Sequence, residues 1–242
     1  METGTINQVK LPVEVCEILE KIETGGELTP KRAAEILSES SVTADSLTEF
    51  HGFDHPVEDC YGRKMIYAAD NFELMLMSWN PGDFSAIHDH GYTQWGAVKL
   101  FGEAQHNIYT VKQNEISFGR KEILTNGSTV GVNHSLIHQM GNPTSNRFVS
   151  LHLYGCQENR VVVTADTKIY ELENRVIKHT TGGAFFNLPE NEVYDYERCP
   201  IPDNETLIYH CGLLLEYYNR QNNESAREKS RRVLNILQEH SW

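Results

Sequence analysis

Pro81-Gly82-Asp83-Phe84-Ser85-Ala86-Ile87-His88-Asp89-His90 is the stretch on which both the fold and the chemistry turn. It opens in the turn signal Asn80-Pro81-Gly82-Asp83 and continues as a strand, where positions i and i+2 face the same way. His88 and His90 then project together, into a barrel if theirs is the inner face. Two imidazoles on adjacent same-face positions can bind one divalent metal. Alone the pair is weak evidence, because eleven histidines in 242 residues give about half an H-x-H by chance.

From about Tyr61 to His179 the surrounding sequence alternates short apolar or period-two segments with turn residues, including Thr125-Asn126-Gly127 and Gly141-Asn142-Pro143-Thr144. That pattern predicts a β-barrel or sandwich. Helical spacing flanks it. Val15, Ile18, Leu19 and Ile22 make one apolar face ended by Gly25-Gly26, Thr29-Pro30 starts a second helix through Ala33, Ile36 and Leu37, and Ser41 or Thr43 caps a short turn carrying Leu47 and Phe50. In the tail, Asp203 caps a helix with Leu207, Ile208, Cys211, Leu214, Leu215 and Tyr218 at helical spacing. Asn223 caps another with a thin stripe of Ala226, Ser230, Val233 and Leu237. The basic residues Arg227, Lys229, Arg231 and Arg232 read as a solvated face of that last helix.

At 39% hydrophobic and 23% charged residues, the chain has the composition of a soluble globule. A chain of this size buries roughly 70% of its extended surface, so a metal would serve chemistry rather than hold the fold together. The net charge of −13, without a Lys/Arg run, argues against nucleic-acid and anionic-membrane partners and leaves small-molecule work. No apolar run is long enough for a signal sequence or a membrane span, and a cytoplasmic location is expected. The five cysteines, Cys16, Cys60, Cys156, Cys199 and Cys211, form no CxxC and read as plain thiols.

A third histidine raises the value of the first pair. Asn133-His134-Ser135-Leu136-Ile137-His138-Gln139-Met140 lies about fifty residues on, where a later barrel strand can bring His138 to meet His88 and His90. Three neutral imidazoles leave a divalent iron its full charge and several open positions, which suits a substrate bringing its own anionic ligand together with O₂. His106 and His134 are read as ordinary hydrogen-bonded histidines. In Phe148-Val149-Ser150-Leu151-His152-Leu153-Tyr154, a polar face of Ser150, His152 and Tyr154 alternates with an apolar one. The polar face is either an interior relay, Ser150 orienting His152 and His152 orienting the Tyr154 phenol, or the wet side of an edge strand.

Together these residues resemble a known family. Gly82-x5-His88-x-His90 followed by Gly102 looks like the first cupin motif, and the ordered set Ile87-His88-Asp89-His90, His138 and Ser150-Leu151-His152-Leu153-Tyr154 resembles the thiol dioxygenases, most closely cysteine dioxygenase. The resemblance spans about Cys60 to Cys156. It implies a mainly β fold, a cupin (RmlC-like) β-barrel with N-terminal helices and a C-terminal helical extension. The division expected is a cysteine-dioxygenase-like domain over residues 1–200 and a helical extension over 201–242, packed on or beside it. The two tail helices are longer than the family leads one to expect and are candidates for homodimer formation.

The resemblance further implies one Fe(II) per chain held by His88, His90 and His138, with Ser150, His152 and Tyr154 as a catalytic relay. The substrate would be a small thiol, L-cysteine, oxidised with both atoms of O₂ to cysteine sulfinate. Arg63 matches the arginine that binds the substrate carboxylate, with Tyr61 beside it; relatives preferring 3-mercaptopropionate have glutamine there. Trp79 matches the family's pocket tryptophan, Met77 replaces a leucine, and Trp95 stands where animal members carry a cysteine crosslinked to the tyrosine, so that its indole would narrow the pocket. Gln94 lies near the position of the glutamate ligand of general cupins and is given no role. The alternatives are a dioxygenase for another small thiol, such as 3-mercaptopropionate, and a metal- or ligand-binding cupin without turnover.

Overall fold

The computed structural model describes residues 10–158 and 162–240. Two helices come first, α1 (Val13–Thr24) and α2 (Pro30–Glu39). Thr29 Oγ1 caps α2 by accepting from the Arg32 N–H at 3.1 Å. The short 3₁₀ turn Asp45–Phe50 that follows is entered through Thr43, which exchanges hydrogen bonds with Ser46. The β region runs β1 (Gly62–Ala68), β2 (Phe72–Trp79), β3 (Trp95–Phe101), β4 (Ala104–Lys112), β5 (Glu115–Leu124), β6 (Thr129–Val132), β7 (Ile137–Gly141), β8 (Phe148–Gly155), β9 (Thr167–Glu171), β10 (Val176–Thr180), β11 (Val193–Arg198) and β12 (Ile201–Pro202). Helices α3 (Asn204–Asn219) and α4 (Glu224–His240) close the chain.

One sheet has the order β1-β2-β8-β3-β6, every pair antiparallel. Its two central strands, β2 and β8, are buried along their whole length, which requires cover on both faces. Leu74, Leu76, Ala97, Val149, Leu151 and Leu153 form one core with Val15 and Ile18 of α1 and Ile36 and Leu37 of α2. Met75, Met77, Val98 and Leu100 face the other way, into the barrel. The alternation in β8 is thereby resolved: its apolar face lies under the N-terminal helices, and Ser150, His152 and Tyr154 point inward.

The opposite wall is assembled from two pieces, β12-β5-β4-β7 and β11-β10-β9. The segment that decides the fold joins them, but not as the strand expected from its sequence. Phe84 and His88 make isolated bridges to Gly141 and His138 of β7, and His88 bridges Ile169 of β9 as well. His88 exchanges both backbone hydrogen bonds with His138 at 2.9 Å, while the Tyr170 N–H donates to Ile87 O and the Asp89 N–H to Lys168 O. Its backbone is thus shared between two neighbours, which denies it a regular ladder but fixes it at the seam.

The tail packs back on the barrel. Asp203 and Asn223 cap α3 and α4, each accepting a backbone N–H at 2.8 Å. Leu207, Cys211, Leu214, Tyr217, Tyr218, Ala226 and Val233 join the barrel's own hydrophobic cluster. Ile208, expected on the buried face, is exposed, and His210 takes that side, its Nε2 2.8 Å from Glu173. The Tyr209 hydroxyl accepts from Asn107 Nδ2 on the outer face of β4, and Arg220 pairs with buried Asp83 at 2.8 Å. Much of the apolar surface of the tail is therefore used within the chain. Among the described residues no cysteine forms a disulfide, and four of the five are buried. Among the described residues, no helix is long and apolar enough to cross a membrane.

Candidate metal centre

His88, His90 and His138 each direct a ring nitrogen to a common point, with the three atoms within 4.8 Å of one another. The seam explains their convergence, since His88 and His138 are backbone partners and His90 lies two residues further along an extended chain. His88 Nδ1 donates to the Ala86 carbonyl at 2.9 Å, which leaves its Nε2 lone pair facing His138 Nε2 at 3.2 Å. Both nitrogens of His90 are buried without a hydrogen-bonded partner; the Asn133 backbone lies near the ring but outside hydrogen-bond geometry.

Burial keeps these rings neutral. It lowers the His88 pKa to about 4 and that of His152 to about 3, and holds those of His90 and His138 well below the usual imidazole range. Ring nitrogens converging from three neutral imidazoles, with both nitrogens of His90 left without a protein partner, are what a divalent transition metal requires. The donor set fits a metal that accepts nitrogen ligands and retains open positions.

The same shifts carry a pH prediction. An unfolded histidine titrates near 6.5, so below that pH the unfolded chain binds protons that folded His88 and His152 refuse. Their contribution to stability is present above pH 6.5 and falls as the pH drops toward 4, by about 1.4 kcal/mol per pH unit for each ring, or roughly 2 kcal/mol each at pH 5. Urea unfolding of the metal-free protein should show the midpoint falling between pH 7 and pH 5; an unchanged midpoint would contradict neutral burial of these rings.

A hydrogen-bonded chain approaches the centre from β8. The Trp79 indole N–H donates to Ser150 Oγ at 2.8 Å, Ser150 Oγ lies 2.7 Å from His152 Nε2, and His152 Nδ1 lies 2.8 Å from the Tyr154 hydroxyl. With no other acceptor bonded to Ser150 among the described residues, its proton is assigned to the bond to His152 Nε2; His152 would then donate its Nδ1 proton to Tyr154, leaving the Tyr154 proton to point into the cavity. The Tyr154 ring is 5.5 Å from that of His90, and burial raises its pKa, so the phenol keeps its proton.

The space in front of these groups is partly open and measures about 20 Å³. Tyr61, Met77 and Trp79 line it, with Met140, Thr164 and Gly182. Tyr61 is stacked between Trp79 and Phe185 and also lines an outer hollow of about 480 Å³ that holds Arg63. Arg63 stands opposite Met77 in the β1–β2 ladder, with its buried Nε unpartnered. Gly182, at φ +105°, is packed against Thr164, with which an added side chain would collide, and beside the Arg63 guanidinium.

Trp95 is not part of this cavity, contrary to the expectation from the sequence. It pairs with Gly155, and the residue across from Tyr154 is Gly96. A one-residue offset on a strand reverses the face. The Trp95 ring therefore lies outward with Phe72 beneath the N-terminal helices, over the spot that a side chain on Gly155 would fill. Tyr154 faces a glycine, which offers no thiol for a crosslink, and the indole narrows nothing. Gln94 is engaged by the Gln157 N–H at 2.7 Å.

Some of the lining carried no motif. Thr164, Thr167 and Gly182 come from the β9–β10 region and its flanks, and only the folded register brings them to the histidines. His106, read from sequence as an ordinary histidine, is hydrogen-bonded to His138, its Nε2 2.8 Å from His138 Nδ1. The signal available was its place on a strand of the same barrel, which means nothing until the pairing of β4 with β7 is known.

A double-sheet barrel with three convergent histidines at the seam between its walls has the architecture of a cupin with a candidate metal site. The model of the family described as cysteine dioxygenase type I matches residues 1–160, and the chain belongs to that family. Among solved structures, the chain is similar to an uncharacterized conserved protein with a double-stranded beta-helix domain from Klebsiella pneumoniae, at 16% identity over 48% of this chain and 90% of that one, with a TM-score of 0.38. It is also similar to TT1209 from Thermus thermophilus, at 13% identity over 46% and 93% of the two chains and a TM-score of 0.38. Oxalate decarboxylase from Lactobacillus farciminis matches at 13% identity over 46% of this chain but only 31% of its own, with a TM-score of 0.36.

Proposed function

We propose that the protein is an Fe(II)-dependent thiol dioxygenase that converts L-cysteine and O₂ to cysteine sulfinate. The observation that carries the reading is the meeting of three imidazole nitrogens beside a phenol held by the hydrogen-bonded Ser150-His152-Tyr154 chain in the same cavity. A site that only stored metal has no use for that hydrogen-bonded chain. The overall reaction balances as one thiol plus one O₂ giving one sulfinic acid, with both oxygen atoms placed on sulfur.

His88, His90 and His138 would hold the iron, and when bound it supplies open positions for thiolate and O₂ together with the redox chemistry that O₂ needs. The remaining work belongs to the chain. Trp79 and Ser150 fix the His152 tautomer, and His152 holds the Tyr154 oxygen so that its proton is presented where negative charge develops during oxygen transfer. Arg63 offers its guanidinium to the substrate carboxylate and fixes the pose, which supplies orientation before chemistry.

Tyr154→Phe tests the role of the phenol. The ring and its packing stay, so iron content and the KM for cysteine should change little, while kcat falls by about a hundred- to a thousandfold, the range expected for losing one donor aimed at developing charge. An oxygen electrode with anaerobically iron-loaded protein gives the rate. Unchanged kcat at saturating O₂ would remove Tyr154 and its relay from the mechanism.

A further inference from the structure

We propose that His106 and Glu122 form a second relay that sets the tautomer and orientation of the ligand His138; the proposal deepens the metal-centre reading and rests on it. His138 and His106 lie on the inner faces of paired strands. In the β4–β7 ladder, Ile108 is opposite His138 and His106 opposite Met140, which makes His106 and His138 diagonal neighbours. The two rings meet edge-on, at 85° with centroids 5.0 Å apart, and His106 Nε2 is 2.8 Å from His138 Nδ1. On the other side His106 is the direct cross-strand partner of Glu122 in β5, with Nδ1 3.2 Å from Glu122 Oε2. Arg120 Nε, 2.8 Å from Glu122 Oε1, holds the carboxylate in place.

Only one arrangement of protons satisfies this chain. His106 is buried between His138 and Glu122 and, as a neutral ring, carries one N–H. If that proton is on Nδ1, it is donated to Glu122, and Nε2 accepts the Nδ1 proton of His138. His138 Nε2 is then bare and faces the metal position. In the other tautomer, a carboxylate would confront a lone pair, and the proton of His138 would move to Nε2, where it could bridge to His88 Nε2 at 3.2 Å and block the site. The charge-assisted bond from His106 to Glu122 selects the first arrangement. His106 is thus a positioning residue, acting on the metal site through His138, and Glu122 acts through His106 from a position one-third exposed to solvent.

The test uses the full-length metal-free protein with ¹⁵N-labelled histidine. Imidazole nitrogen shifts of wild type should show the His138 proton on Nδ1. In Glu122→Gln, where the amide can donate as well as accept, His138 should become a tautomer mixture. In His106→Phe, the proton should move to Nε2. Co(II) titration against a competing chelator should show affinity lowered about tenfold in Glu122→Gln and up to a hundredfold in His106→Phe. His106→Gln, which keeps an acceptor oxygen, should recover most of that loss. A His138 proton that stays on Nδ1 in both Glu122→Gln and His106→Phe overturns the relay. Failure of the underlying reading looks different: His88→Ala would bind Co(II) as tightly as wild type, while the tautomer result would still decide the relay.

Discussion

His90→Ala should lose most of its iron, at least tenfold by occupancy after anaerobic loading and desalting, with the fold kept. The barrel core, built from Met75, Trp79, Ile87, Val98 and Leu100 among others, surrounds the site without depending on it. The substitution leaves a cavity, which destabilises, but it also removes two buried nitrogens that have no partner, each of which costs about 1–3 kcal/mol when unsatisfied. These effects oppose each other, so the metal-free variant should unfold close to wild type. His88→Ala and His138→Ala should lose iron to a similar extent but pay more in stability. His88 gives up its bond to Ala86 O, and removal of His138 leaves His106 Nε2 without its partner. Colorimetric iron content and thermal unfolding of the three metal-free variants separate the two effects. A variant that retains full iron occupancy removes that histidine from the ligand set.

The second large effect concerns substrate choice and Arg63. Cysteine offers thiolate, amine and carboxylate, cysteamine lacks the carboxylate and 3-mercaptopropionate lacks the amine. Among the described residues no carboxylate pairs with Arg63, whose charge acts on Tyr61, His152 and Tyr154. A substrate carboxylate would supply the missing partner, and its absence should cost roughly 2–4 kcal/mol of transition-state stabilisation, about thirty- to a thousandfold in kcat/KM. Arg63→Gln should therefore hurt cysteine far more than cysteamine and narrow the gap between cysteine and 3-mercaptopropionate. Arg63→Ala should do the first without helping the mercapto acid, because it leaves no donor. The comparison needs kcat/KM for three thiols on three proteins at equal iron occupancy. Equal losses for cysteine and cysteamine would make Arg63 a support of the fold or of the metal, and the assignment of cysteine over other small thiols would lose its main ground.

Much of this was legible in the sequence, for reasons that can be named. Capping signals at Thr29, Asp203 and Asn223 are local, and each marks a helix start that the structure contains. The convergence of the three histidines was legible because an H-x-H pair and a third histidine on a later strand can meet once the barrel closes. Ser150, His152 and Tyr154 could be placed on one face by period two, but which face was inward depended on the helices that cover Leu151 and Leu153, a tertiary fact. Trp95 failed through register: its neighbour Gly96, not Trp95 itself, stands opposite Tyr154. His106 was missed because a lone histidine acquires meaning only from the pairing of β4 with β7 and β5. The segment 84–88, expected as a strand, is divided between two sheets, and no periodicity in ten residues can announce two partners.

The central claim, that this site places both atoms of O₂ on the sulfur of cysteine, is tested most directly by isotope. Iron-loaded protein is given L-cysteine under ¹⁸O₂, and the product is weighed by mass spectrometry. The account predicts cysteine sulfinate carrying two ¹⁸O atoms, formed in a one-to-one ratio with O₂ consumed, and none from His90→Ala. Cystine with hydrogen peroxide, sulfinate with oxygen drawn from water, or no uptake of O₂ by fully iron-loaded protein would contradict it.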